Sequence, residues 1–598
     1  MSIFERSSWL LKTAYIAVLL ALCSTGSRAQ DFKQVAPKPV PPPSSAAPAI
    51  SPPKPEAPTA ADPNQVIIPK LEGLVLQGYA PNFSRNPLAR GGISIENLPL
   101  LDVPELKAKL GDFLGKATSF ADLQKIQQLI IAWYRDHNRP FVDVSFPEQD
   151  VSTGLVQILV TEFNLGQLRV EGNHWFSSES ITSQLHLTSG QPIDASLLQE
   201  DLDWLNQNPF RQVSAVAEKS GTLGATDLVL NTQDRLPLRF YAGYENYATP
   251  TLGRNYWTLG VNWGQVFGSD QQLSYQLTAS DNFWSDPGHA TIAAHSITYV
   301  APLPWRDKIN IFGSYGEARP LLGPDLGLVG ISGQASFRYI LTLPKNTFLG
   351  WLPQGLSHDL QFGYDFKTSN NNLSFGGVEV SNVTTEVDQF PIMYEANLQT
   401  DYGITSLSNT LVFSPGGLTS GNADTVFQQQ ASNPLASARY AYDMLNIVQM
   451  TRLPYDASWV MRLTGQVATT NLLPSEQLGA GGHDTVRGYN ERDANGSAGF
   501  LVSEELRSPV FSLLKDRLGT GIADQAQLLV FWDYGSVRDA QFTPGGPPSI
   551  KLSSLGVGAR YTLGQYLDFR IDYGFQQRRL PGSSSLNSML QVGLTASY

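Results

Sequence analysis

The chain has 598 residues, a formal net charge of −12 at pH 7 and a hydrophobic content of 42%. The negative charge argues against a nucleic-acid partner, because phosphate backbones attract basic surfaces. No run of about 18 apolar residues follows the first 30 residues, which excludes a bundle of transmembrane helices. Charged residues make up only 16%, while glycine and aromatic residues are plentiful, and this composition favours a large β-structure.

The N-terminus has the pattern of a secretory signal. Two basic residues precede a short apolar run at residues 13–22, and small residues occupy positions 27 and 29. We expect residues 1–29 to be removed by cleavage after Ala29; the alternative is an uncleaved anchor. Cys23 is the only cysteine, so the mature chain would have neither a disulfide nor a reactive thiol.

A proline-rich stretch follows the signal, with eleven prolines at residues 36–63. Such a composition buries too little apolar surface to fold by itself. It predicts a disordered linker over residues 30–65. Residues 66–90 are then expected to form a connecting segment that could hold a plug.

Two tandem units follow at residues 91–165 and 166–235. Each is predicted to fold in the order strand, helix, helix, strand, strand. The second helix of each unit has an apolar stripe at helical spacing. The stripe residues are Leu123, Ile126, Ile130 and Trp133 in the first unit and Leu198, Leu202 and Leu205 in the second. Neither unit contains a cluster of catalytic residue types, so a binding role is expected and an enzyme is not.

From Leu238 onward, apolar and polar residues alternate, as in β-strands with one apolar face. Segments of about ten residues suit tilted strands that cross a membrane. An even number of strands is typical of a bacterial outer-membrane barrel. The alternative is a water-soluble protein that contains several sheets. The sequence therefore predicts α+β periplasmic domains followed by an all-β transmembrane barrel of 16 antiparallel strands at residues 236–598. The strands are expected to start near residues 238, 255, 271, 290, 308, 330, 356, 389, 403, 436, 456, 498, 526, 553, 567 and 586.

Motifs for cofactor or metal chemistry do not stand out. The seven histidines show no metal-ligand spacing, and the glycine-rich residues 479–482 lack the lysine and hydroxyl residue of a phosphate-binding loop. No nucleophile lies near a base in a recognisable pattern. We therefore predict no cofactor and no metal site.

One constellation is more specific. Val486-Arg487-Gly488-Tyr489 lies in a long connection at about residues 471–497. Phe531, Asp533 and Gly535 follow on an alternating strand whose neighbouring apolar residues face lipid, so Asp533 is expected to point inward.

These two motifs resemble those of the superfamily of outer-membrane assembly factors and two-partner-secretion transporters. The tandem units resemble its POTRA domains, and the resemblance runs from about residue 91 to residue 598. Within the superfamily, the first unit is similar to that of the two-partner-secretion (TpsB) transporters, of the haemolysin secretion/activation type. The fragments that carry this similarity are Tyr134-Arg135, Pro147-Glu148-Gln149, Gly154 and Val160-Thr161-Glu162.

The resemblance implies a barrel in the outer membrane with its POTRA domains in the periplasm. It implies that the loop folds into the barrel, where Arg487 pairs with Asp533, and that Tyr598 serves as an insertion signal for the barrel-assembly machinery. The implied function is capture of a large unfolded exported polypeptide and its secretion through a monomeric barrel. The alternatives are a factor that assembles other barrels and a passive porin.

Overall fold

The computed structural model describes residues 35–41, 50–51, 63–78, 91–222, 224–246, 252–320, 326–344, 355–375, 378–515, 522–542 and 548–598. The chain divides into one unit of residues 42–236 and another that joins residues 1–41 to residues 237–598. The predicted cleavage site at Ala29 lies outside the described residues. Among those residues, no helix combines the length and apolar character needed to span a bilayer.

The unit of residues 42–236 is built from ten strands and four helices within its described residues. The strands are β1 (Ile50–Ser51), β2 (Val66–Ile68), β3 (Gly73–Gly78), β4 (Gly92–Glu96), β5 (Thr118–Ser119), β6 (Val142–Ser145), β7 (Leu155–Glu162), β8 (Asn164–Glu171), β9 (Arg211–Lys219) and β10 (Ala225–Asp234). The helices are α1 (Pro104–Gly111), α2 (Phe120–Asp136), α3 (Ser178–Thr182) and α4 (Ala195–Leu205).

Two α+β halves result. The first is a sheet of order β4-β3-β7-β6 with α1 and α2, and the second is a sheet of order β1-β9-β10-β8 with α3 and α4. Helix α2 begins with a capping box between Ser119 and Asp122, which satisfies free backbone N–H groups of its first turn. The predicted apolar stripes of α2 and α4 are buried, as expected for faces that cover a sheet.

The described part of residues 66–90 belongs to the first sheet. Strand β3 lies between β4 and β7 and pairs with both in parallel. Leu74 and Leu76 are fully buried in its core. Because this strand is in the centre of a sheet, the interpretation of this part as a connecting segment or plug is wrong, and the first unit begins before the predicted boundary at residue 91.

Residues 237–598 contain a closed barrel of sixteen antiparallel strands, in agreement with the predicted fold. The strand that was predicted to start near residue 389 begins at Val378, eleven residues earlier. The barrel strands are β11 (Leu238–Glu245), β12 (Tyr256–Val266), β13 (Gln271–Ser280), β14 (Ile292–Pro302), β15 (Lys308–Ala318), β16 (Leu326–Thr342), β17 (Leu356–Phe375), β18 (Val378–Thr400), β19 (Gly403–Pro415), β20 (Arg439–Arg452), β21 (Ser458–Ala468), β24 (Ala498–Arg507), β25 (Asp524–Arg538), β26 (Ile550–Leu563), β27 (Leu567–Gln576) and β28 (Ser588–Ser597).

Strand β28 pairs with β11 and closes the barrel, so none of its sixteen strands has an unpaired edge. A helix, α5 (Asp424–Ala431), lies between β19 and β20. A short hairpin of β22 (Leu478–Ala480) and β23 (Ala494–Gly496) lies between β21 and β24.

Residues 35–41 contact the inner face of β11–β14. The backbone N–H of Lys38 donates to the hydroxyl of Tyr241 at 3.0 Å, and Arg239 donates to the carbonyl of Pro39 at 3.1 Å. Val35 is buried, and its carbonyl accepts a hydrogen bond from Gln276. These residues fall in the predicted disordered linker, but the barrel wall supplies the polar partners that the proline-rich chain lacks in itself.

Candidate functional site

The connection between β21 and β24, residues 469–497, folds onto the inner face of the barrel; it is called the inward loop below. Val486 is fully buried and packs against the loop hairpin and the wall. The buried apolar cluster comprises Leu478, Ala480, Val486, Tyr489, Ala494, Leu501, Val537 and Leu552. The loop is therefore packed against the wall as part of the barrel interior.

Arg487 joins the inward loop to β25. Its Nε and Nη2 atoms donate to the two carboxylate oxygens of Asp533, both at 2.8 Å, and its backbone N–H donates to the same carboxylate at 3.0 Å. The side chain of Arg487 is 3% exposed and that of Asp533 is fully buried. Such a two-pronged contact fixes both the position and the plane of the guanidinium.

Three further groups complete the surroundings of this guanidinium. Glu505 on β24 accepts from Nη1 at 2.8 Å, Ser503 accepts from Nη2 at 3.1 Å, and Asp572 on β27 lies 3.6 Å from Nη1. Burial alone would lower the pKa of Arg487, but the hydrogen bonds and charges of Asp533, with Glu505 and Asp572, raise it. The guanidinium therefore remains charged.

The carboxylates around Arg487 also have other cationic neighbours on the wall. Glu505 lies 3.0 Å from Arg462 and 2.5 Å from Arg507, and Asp572 lies 2.9 Å from Arg560. This network spans several adjacent strands of the wall, β21 and β24–β27. Buried charges are tolerated when they are paired in this way.

The other two residues of the strand motif make room for the loop. Phe531 is buried, and its ring centre lies 3.5 Å from the guanidinium carbon of Arg487, a cation–π arrangement. A Cβ atom on Gly535 would lie 2.9 Å from Leu501 and 3.0 Å from Val486. Glycine at this position therefore lets Val486 approach the backbone of β25.

Gly488 and Tyr489 join the loop to the next two strands of the wall, β26 and β27. Gly488 has a φ of 87°, and a Cβ atom there would lie 3.0 Å from the backbone of Gly574 on β27. The buried hydroxyl of Tyr489 lies 3.0 Å from the carbonyl oxygen of Ser553 and 2.6 Å from that of Arg578. The four consecutive loop residues thus contact β25, β26 and β27.

The fragments singled out in the first α+β half also meet in space. The hydroxyl of Tyr134 on α2 donates to Glu162 at the end of β7 at 2.6 Å. The side chain of Gln149 exchanges two hydrogen bonds with the backbone of Gln157. Burial and the nearby Glu162 carboxylate raise the pKa of Tyr134. These contacts fix helix α2 and the loop before β7 on the sheet, which is a structural role.

Two functional neighbours of Arg487 were not assigned from the sequence. Neither Glu505 nor Ser503 was given a role. The alternation of inward and outward residues along β24 could have placed Ser503 and Glu505 in the lumen, because residues two apart on a strand share a face.

Tyr598, the predicted insertion signal, is exposed and exchanges backbone hydrogen bonds with Phe240 of β11.

Sequence comparisons point to one family. Residues 358–561 match the family described as haemolysin secretion/activation protein ShlB/FhaC/HecB, and residues 90–162 match the ShlB-type POTRA domain. The heme/hemopexin transporter protein HuxB of Haemophilus influenzae is 23% identical over 499 residues, covering 79% of this chain and 80% of HuxB. The chain belongs to the two-partner-secretion transporters. It is thus an outer-membrane β-barrel with periplasmic POTRA domains.

Solved structures share the fold. CdiB from Escherichia coli has a TM-score of 0.65 at 14% identity, covering 90% of this chain and 92% of CdiB. CdiB from Acinetobacter baumannii has a TM-score of 0.57 at 15% identity, with both chains covered completely. The inward loop of this two-partner-secretion transporter therefore lies in a barrel of known architecture.

Proposed function

We propose that this transporter takes a large unfolded exported polypeptide from the periplasm and passes it through the barrel, with the inward loop shaping the path. The observation that carries the proposal is the Arg487–Asp533 contact, which fixes a long loop inside a sixteen-stranded barrel. Arg487 holds the loop together with the apolar cluster and Tyr489, so loss of its ion pair would loosen the attachment of the loop to the wall. The contact is therefore suited to controlling the width of the lumen.

Capture is proposed to occur by strand addition in the α+β unit. Strands β4, β6 and β8 lie at the ends of their sheets in the described residues. Backbone groups at such an edge can pair with any extended chain, because the pairing uses main-chain atoms. At the other end of the second sheet, Ile50 and Ser51 already pair with Ala215 and Val216 of β9.

The inner wall suits an extended polypeptide. Polar side chains such as Asn262, Gln276, Asp365 and Gln389 are buried on the inner face of their strands. A polypeptide in transit has unpaired backbone groups, and such a lined path offers them partners where lipid would not. Secretion of an unfolded chain is therefore favoured over transfer of an apolar solute.

The experiment compares proteins of the culture medium and of the outer membrane in wild-type cells, a deletion strain and the complemented deletion. Loss of one or two large polypeptides from the medium, restored by complementation, is the expected result. Outer-membrane barrels should stay at their wild-type amounts. A joint fall of many barrels without a selective change in the medium would instead favour an assembly factor.

The name of HuxB refers to heme and hemopexin, and that cargo is one candidate for this chain. An identity of 23% does not specify the cargo, so the comparison of proteins in the culture medium is the experiment that identifies it. A polypeptide that binds heme among the lost proteins would support the same cargo class. The loss of unrelated large polypeptides would leave secretion in place and change only the cargo.

A further inference from the structure

A group of basic side chains lies on the outer face of the barrel at the extracellular ends of β25, β26 and β27. It consists of Arg538, Lys551 and Arg579 and is called the basic patch. Ser536 pairs with Lys551 across the two strands, so Arg538, two residues beyond Ser536, is a diagonal neighbour of Lys551 on the same face.

Loop residues extend the basic patch toward β27. The backbone N–H of Gln577 donates to the carbonyl of Ser553 at 2.7 Å. This hydrogen bond continues the β26–β27 pairing beyond its last ladder residue, Gln576. Extending this pairing by two residues places Arg579, which shares the outward face with Phe575, opposite Lys551.

The charge of the basic patch is not neutralised by the neighbouring protein. Arg538, Lys551 and Arg579 are exposed, and none of them forms an ion pair with another residue that the structure describes. The sequence has no Asp or Glu at residues 540–567 or 573–598, and Asp539 is the acidic residue beside the patch. In a chain of net charge −12, such a local excess of positive charge opposes the overall balance.

The patch lies at one level above the membrane-facing surface. Arg538, Lys551 and Arg579 each lie four residues beyond an outward-facing apolar or aromatic residue of the same strand or its continuation. Those residues are Tyr534, Leu555 and Phe575. Four residues correspond to about 13 Å along a strand. Aromatic residues mark the edge of the hydrocarbon region, so the patch is at the height of lipid headgroups.

We propose that the basic patch binds the phosphate groups of a phosphorylated lipid of the outer leaflet. Guanidinium groups bind phosphate through paired hydrogen bonds, and an ammonium adds a compact charge. Tyr489 of the inward loop bonds the carbonyls of Ser553 and Arg578 from inside the same wall. A bound lipid would therefore stabilise the part of the wall that carries the inward loop.

The test uses the full-length protein, folded in detergent, and compares binding of phosphorylated lipid A with that of dephosphorylated lipid A. The double variant Lys551→Gln/Arg579→Gln should weaken binding of the phosphorylated lipid by about ten-fold, since basic residues near a membrane surface act additively. The matched control, Arg254→Gln/Arg439→Gln, removes two exposed charges from other extracellular ends and should change affinity by less than about two-fold.

A shift in apparent mass on heating verifies that each variant is folded before its binding is measured. Equal binding of the dephosphorylated lipid, or unchanged binding by the patch variant, would overturn the proposal. Displacement of the lipid by inorganic phosphate at low millimolar concentration would also overturn it, because the site would then bind free anions. Failure of inorganic phosphate to compete supports a lipid headgroup as the occupant.

Discussion

Two buried arginines inside the same barrel make different connections. Arg338 on β16 lies 2.7 Å from Asp365 on the adjacent strand β17. Arg487 lies in the inward loop and reaches Asp533 on β25, 46 residues further along the chain. Both guanidiniums lie near an aromatic ring, and both are almost excluded from solvent.

The difference lies in what else holds the two partners together. Strands β16 and β17 pair continuously from Leu326 to Thr342, so the Arg338 ion pair adds to a connection that the backbone already makes. The hairpin of the inward loop pairs within the loop itself, and side-chain contacts, such as those of Glu476 with Lys367 and Tyr489 with Ser553, join the loop to the wall. A similar ion pair thus adds to a continuous backbone ladder within the wall, whereas between the loop and the wall it is one of the side-chain contacts that hold the two together.

The largest expected effect comes from Arg487→Ala. It leaves Asp533 and Glu505 buried without their shared cation, a loss that costs about 3–5 kcal/mol in a desolvated site and less in a hydrated one. Limited proteolysis of intact barrels should then cut within residues 469–497. Arg338→Ala should leave that loop protected. Equal cleavage of the loop in both variants would remove the distinction.

A smaller effect is expected from Gly535→Ala. The added Cβ atom would lie 2.9 Å from Leu501 and 3.0 Å from Val486. Crowding of this kind costs about 1–3 kcal/mol. Gly465→Ala on β21 is the matched control, because nothing lies within 4 Å of its added Cβ atom. The temperature at which the barrel loses its compact migration on gels should fall for the first variant, and a similar fall for the second would contradict the packing explanation.

The smallest effect is expected from Ser503→Ala. The hydroxyl of Ser503 accepts from Arg487 and donates to Asp533 at 2.7 Å, so two charge-assisted contacts are lost. We expect a loss of about 1–2 kcal/mol in the free energy of unfolding. Ser336→Ala, near Arg338, removes one contact with the neutral amide of Gln334 and should cost less. Urea titration of the folded barrels measures both, and a larger loss for Ser336→Ala would reverse the expected order.

The barrel could be predicted from the sequence because apolar and polar residues alternate along each strand, with one set facing lipid and the other facing the lumen. The starts of β11, β13, β15 and β24 agree with the predicted residues. The start of β18 was missed because the strand extends beyond the membrane-facing segment, where lipid no longer requires alternation.

Other features depend on partners that are distant in sequence. Strand β3 was missed because its short run Leu74-Val75-Leu76 stands near proline-rich sequence, and only the sheet of β4 and β7 gives it partners. Asp533 was expected to point inward from alternation, but its pairing with Arg487 came from the family resemblance. The approach of Glu505 and Asp572 to the same guanidinium depends on strand register across the wall, which local sequence does not specify.

The most direct test of the inward loop's role is the rate at which the secreted polypeptide appears in the medium. Cells carrying the wild type, Arg487→Ala or Arg338→Ala are compared at equal amounts of folded barrel. We predict at least a ten-fold fall for Arg487→Ala and no more than a two-fold fall for Arg338→Ala. Equal rates for the two variants would contradict the claim that holding the inward loop through Arg487 is what secretion requires.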